Sequence, residues 1–128
     1  MDGLRLAMEK ATVVITMHGE IDACSAERLG LELVDLATSC SAARCLVVNL
    51  REVSFLDSCG LQMLVGAHHD LHERNVESFF VVAEGSMTAR LLQITGLDGV
   101  LSVHPRMGEA LEAARRCIEA AAVSAPSL

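Results

Sequence analysis

Cys45-Leu46-Val47-Val48 is an unbroken apolar run near the middle of the chain, and it constrains the fold more than any other stretch. Successive side chains of a strand point to opposite faces. A strand that is apolar at every position must therefore be covered on both, as central strands of mostly parallel sheets are. Residues 77–83, Glu-Ser-Phe-Phe-Val-Val-Ala, have the same character. Parallel strands need crossover connections, usually helices. The run thus predicts an α/β fold before any other residue is considered.

The remaining segments fill in that plan. Residues 4–8 alternate weakly and read as an edge strand, and residues 12–18 are β-branched and read as a strand that Gly19 closes. Asp22 is the expected N-cap of a helix over 23–38, whose Leu29, Leu33, Leu36 and Cys40 share one face. The central strand spans 44–50, with 53–56 as a short extended connector. Asp57 caps a helix over 58–74, with Leu61, Leu64, Val65, His68 and Leu71 as its inward stripe. A short helix over 86–95 ends at Gly96, and a brief strand covers 100–103. After Pro105 the last helix occupies 107–122, with Ala110, Leu111, Ala114, Cys117, Ile118 and Ala121 inward. The expected architecture is a mixed, mostly parallel sheet of about four to five strands. About four helices pack largely on one side of it. Residues 1–122 form one domain, which suits a chain of 128 residues, and 123–128 read as a flexible tail.

Composition narrows the functions open to such a domain. Aromatic residues make up 2% of the chain, with no Trp and no Tyr, so single-stranded nucleic acid has no stacking platform. The net charge of −7 also argues against phosphate backbones and suits a basic protein partner. No apolar run reaches the roughly 18–20 residues that span a bilayer. The first residues, Met1-Asp2-Gly3-Leu4-Arg5, lack the pattern of a signal peptide, so a cytoplasmic location is expected. Five scattered cysteines without a Cys-x-x-Cys read as reduced thiols, mostly small core residues. His68 and His72 share a helix face beside His69, but zinc needs at least three protein ligands and no third is well placed. Neither a metal nor a cofactor is expected.

Chemistry concentrates between Leu46 and Gly60, where the central strand passes into a helix through Asp57-Ser58-Cys59-Gly60. Strand-to-helix junctions of open α/β sheets collect functional groups. Ser58 lies in the first helical turn, where backbone N–H groups are unpaired and the dipole is positive. A phosphate there would find donors and would add about −1.5 to −2 charges beside Asp57. Asp and Ser are also ordinary helix-start residues, and Gly60 relieves crowding just as well. On capping preference alone the two readings stay open.

The stretch Leu50-Arg51-Glu52-Val53-Ser54-Phe55-Leu56-Asp57-Ser58-Cys59-Gly60-Leu61 resembles the signature of anti-sigma factor antagonists, the bacterial STAS-domain family. In that family an apolar strand leads to an aromatic, an apolar residue and Asp-Ser-Ser/Thr-Gly-Leu. Gly19-Glu20-Ile21-Asp22 is similar to the family's Gly-Glu-Leu/Ile-Asp, and Gly96-Leu97-Asp98 through Val103-His104-Pro105 is a weaker third match. The resemblance implies a partner switch. The unmodified antagonist binds an anti-sigma factor that is also a serine kinase, which frees a sigma factor. Phosphorylation of the serine separates the pair, and a serine phosphatase resets it. Carried onto this chain, Ser58 is the phosphoacceptor, Asp57 shapes the acceptor site and Asp22 lies close by. Asp22, Asp57, Ser58, Cys59 and Gly60 form the partner-binding set.

Cys59 departs from the family pattern. Thiols at helix N-termini are activated toward oxidation, so Cys59 is a candidate redox site that tunes binding, with a plain Ser-to-Cys exchange as the alternative. Two other function classes compete with the switch. A serine hydrolase would need Gly-x-Ser-x-Gly, and position 56 is Leu; Asp22 and His104 could join Ser58 only by assertion. STAS-like domains also serve membrane transporters and lipid-transport complexes. Phosphoryl transfer by the chain itself is not expected, since no phosphate-cradling glycine motif is present.

Overall fold

The computed structural model describes residues 3–124. Its elements are β1 (Gly3–Glu9), β2 (Thr12–Ile21), α1 (Ala26–Thr38), β3 (Cys45–Leu56), α2 (Ser58–Glu73), β4 (Glu77–Val81), α3 (Met87–Thr95), a 3₁₀ turn (Leu97–Gly99), β5 (Ser102–His104) and α4 (Met107–Ser124). The sheet runs β1-β2-β3-β4-β5, antiparallel between β1 and β2 and parallel elsewhere. Five strands and four α-helices, among the described residues, match the architecture expected from the sequence. No helix of the described residues is long and apolar enough to cross a membrane.

The apolar run of β3 is explained by its two faces. Leu46, Val48 and Leu50 enter a large core with Leu29 and Leu33 of α1, Leu64 and Leu71 of α2, and Leu92 of α3. Cys45 and Val47 point the other way, into a smaller cluster with Phe79 and Val81 beneath Ala110 and Ala114 of α4. Three helices therefore cover one face. They follow because consecutive parallel strands are joined by crossovers of one hand. The fourth helix closes the opposite face alone.

Several boundaries differ from expectation, each for a tertiary reason. Gly19 does not close β2. At φ 89° it sits at an irregularity in the register, and the strand continues to Ile21. That continuation pairs with the expected connector: Gly19 lies opposite Val53, Glu20 opposite Phe55 and Ile21 opposite Leu56. Residues 53–56 are accordingly strand. The buried stripe of α1 is Ala26, Leu29, Leu33 and Ala37, with Leu36 and Cys40 only half-buried. On α2 the buried set adds Met63 and Ala67, while Val65 and His68 are half-buried. Both the sheet and α1 cover α2, and Met63 packs so close to Gly30 that a Cβ there would lie 2.8 Å from its Cγ. β4 ends at Val81, and β5 starts late because the 3₁₀ turn precedes it. Ala121 is exposed, because α4 overhangs the first residues of β3 and β4. The expected tail, 123–128, begins with the last two residues of α4, and 125–128 lie outside the described residues.

Candidate functional site

The carboxyl ends of β2 and β3 lie side by side, and an aspartate follows each, Asp22 and Asp57. The Asp57 N–H donates to the Ile21 carbonyl at 3.2 Å, tying the two ends together. Asp57 has extended backbone angles (φ −102°, ψ −171°) and its Oδ1 accepts from the N–H groups of Cys59 at 2.9 Å and Gly60 at 3.1 Å. It is the N-cap of α2, as expected. A carboxylate at this position satisfies two orphan donors and faces the positive end of the dipole.

Asp22 is not the N-cap of α1. Its Oδ1 accepts from the N–H of Cys24 at 3.0 Å and of Ser25 at 3.3 Å, which folds residues 22–25 into a turn. The helix starts only at Ala26, after Ser25. Ser25 is buried, and its hydroxyl donates toward the Glu20 carbonyl and Asp22 Oδ1, both at 3.3 Å. This turn takes up positions 23–25, expected from the sequence to form the first turn of the helix.

Gly60 is buried where the mouth of α2 meets both strand ends. A Cβ there would lie 2.5 Å from Leu56 Cδ1 and 3.1 Å from Ile21 Cγ2. Only glycine lets the first turn sit this low. Ser58 is the first residue of α2 and is exposed. Since Asp57 already holds the Cys59 and Gly60 N–H groups, those donors are not open to a group on Ser58. The ready phosphate site expected there is occupied by the cap.

Cys59 is half-buried and lines an open groove of about 590 Å³ between α1 and α2, together with Ala23, Gly30, Leu31, Gln62 and Met63. The groove and the strand end that leads to α2 each carry one exposed large apolar residue. Phe55, at the end of β3, is 50% exposed, and Leu31, on α1, is 68% exposed. Alternation along Phe55-Leu56, with Leu56 inward, was the signal for Phe55. For Leu31, only the position of α1 beside α2 reveals it. Strand order follows chain order without reversal, so the site does not lie at a switch point of the sheet.

The family model for the STAS domain matches residues 5–110. The chain belongs to the STAS-domain family. Among curated relatives, this STAS domain is 30% identical over 110 residues to the anti-sigma-F factor antagonist RsfB of Mycobacterium tuberculosis, covering 86% of this chain and 87% of that one. RsfA, a second anti-sigma-F factor antagonist of the same organism, is 33% identical over 104 residues, 80% of each chain. The crystal structure of an anti-sigma factor antagonist from Mycobacterium paratuberculosis superposes with a TM-score of 0.79 at 27% identity, over 90% of this chain and 95% of that one. Those relatives set the chain among the anti-sigma factor antagonists, as its Asp-Ser-x-Gly segment implied.

The remaining candidates of this STAS domain disperse. His68 Nδ1 hydrogen-bonds Ser78 Oγ, His69 pairs with Glu73 and His72 with Glu77. Burial lowers the pKa of His68, with Glu77 opposing and His72 and His69 adding to the shift. No cluster of three or more metal-ligating side chains forms among the described residues. His104 hydrogen-bonds Ser102 at 3.0 Å and tilts against Phe79 of the α4-side cluster, so no triad with Ser58 is assembled.

Proposed function

We propose that the unphosphorylated chain docks an anti-sigma factor with serine kinase activity, thereby releasing a sigma factor, and that phosphorylation of Ser58 ends the docking. The observation that carries this reading is the exposed Ser58 at the head of α2, next to a carboxylate that has claimed the first-turn donors. A phosphate there gains little from its own helix and is repelled by Asp57. It stands outward, where the partner must sit. The modification adds about −1.5 to −2 charges and three acceptor oxygens at the centre of the contact. Phe55 and Leu31 supply apolar contact beside Asp22, Asp57, Cys59 and Gly60. The chain serves as binding protein and substrate, and the partner provides ATP and phosphoryl-transfer groups. A serine phosphatase returns it to the docking form in the cytoplasm.

The test pairs phosphorylation with binding. With ATP and the cognate kinase, mass spectrometry is expected to find one phosphate, on Ser58, and Ser58→Ala to abolish it while keeping affinity. Ser58→Glu is expected to bind at least tenfold more weakly by calorimetry. Phosphate on another residue, wild-type affinity of Ser58→Glu, or capture of a transporter subunit in place of an ATP-binding kinase would overturn the proposal.

A further inference from the structure

The sheet face under α4 carries a second pair of reactive groups, remote from Ser58. Cys45 opens β3, is 1% exposed, and its sulfur lies 3.6 Å from the Ala114 carbonyl of α4. One turn further along α4, Cys117 packs against the same small cluster that holds Cys45. Cys117 is half-buried. Both line an open cavity of about 490 Å³, together with Arg44, Asn75, Glu77 and Ile118. Two thiols that share one cluster and one open cavity are neighbours and not two isolated core residues.

We propose that Cys45 and Cys117 form a reversible disulfide that staples α4 to the first residue of β3. The oxidant is a small peroxide entering the cavity. The Cys117 sulfur attacks a peroxide oxygen, the O–O bond breaks, and Cys117 becomes a sulfenic acid while the peroxide leaves as an alcohol or water. The Cys45 sulfur then attacks the sulfenic sulfur. The S–O bond breaks, the hydroxyl departs with the Cys45 proton as water, and the S–S bond forms. The two thiols lose two electrons and two protons in all, and the peroxide takes up both. Burial, with Cys117 and then Glu77 adding to it, pushes the Cys45 thiol up to about 12. Cys45 therefore stays protonated and inert toward bulk reagents, which sets the order of attack. A small dithiol restores both thiols by exchange.

The full chain treated with stoichiometric hydrogen peroxide, alkylated and digested without reductant is expected to yield a Cys45–Cys117 linked peptide. The product should be monomeric and reversed by dithiothreitol. Cys117→Ser should remove the link, and Cys59→Ser should leave it. The oxidised wild type should unfold at a higher urea midpoint than the reduced form, with no such shift in Cys117→Ser. The proposal fails if Cys117 is over-oxidised to sulfinate while Cys45 stays free, if another cysteine pair dominates, or if the linked form unfolds at a lower midpoint. Cys45→Ala, which empties little volume and should also remove the link, repeats the test should Cys117→Ser not fold.

Discussion

Replacing Gly60 by alanine tests whether the low seat of α2 on the strand ends holds the site together. The added Cβ would stand 2.5 Å from Leu56 Cδ1, 3.0 Å from Leu56 Cγ and 3.1 Å from Ile21 Cγ2. Comfortable carbon contacts lie near 3.5–4.0 Å, so the first turn must rise by about 1 Å or Leu56 must leave its rotamer. Overpacking of this kind costs about 1–3 kcal/mol, and removing a helical glycine returns about 0.5–1 kcal/mol. The expected net is a loss of about 1 kcal/mol. Gly66 supplies the control on the same helix, since a Cβ there meets nothing within 4 Å. Gly66→Ala should therefore stabilise by about 0.5–1 kcal/mol. Urea denaturation with unchanged m-values would read both, and the thermal midpoints should separate by roughly 5–10 °C. Because the rise carries Ser58 with it, Gly60→Ala should also weaken docking while Gly66→Ala moves Ser58 not at all. Equal or greater stability of Gly60→Ala relative to Gly66→Ala would refute the crowding argument.

Two further outcomes follow from the hydrogen bonds on α2. Asp57→Ala leaves the Cys59 and Gly60 N–H groups without their acceptor and should cost about 1 kcal/mol in urea denaturation, whereas Asp57→Ser should keep most of it. His68 has a folded pKa lowered by burial, so the unfolded chain binds its proton more readily. Stability should then fall as pH drops below the ordinary histidine value of about 6.5, and be indifferent to His68 above it. His68→Gln should flatten that part of the stability profile, and an unchanged slope would contradict the assignment.

What the sequence determined by itself is local. The apolar residues of 45–48 and 79–82 demanded cover on both sheet faces, because a pleated strand shows alternate residues to each. Asp57 announced the start of α2, because a cap depends on residues two and three positions ahead. The order Asp57-Ser58-Cys59-Gly60 announced the family. The tertiary structure decided whatever depends on a partner far along the chain. Residues 53–56 read as a connector in isolation and are strand because the end of β2 lies beside them, since a strand exists through the neighbour that bonds it. Asp22 satisfied every local rule for a cap, yet the path from β2 made it a turn residue. Met63 and Ala67 of α2 are buried because α1 lies across them, which helical period cannot foresee. Cys45 and Cys117 are two unremarkable core cysteines in the sequence, and only the packing of α4 on β3 makes them a pair. Short-range preferences come from neighbours within one helical turn or one strand pair, whereas contacts between distant residues arise when burial of apolar surface selects one arrangement of whole elements.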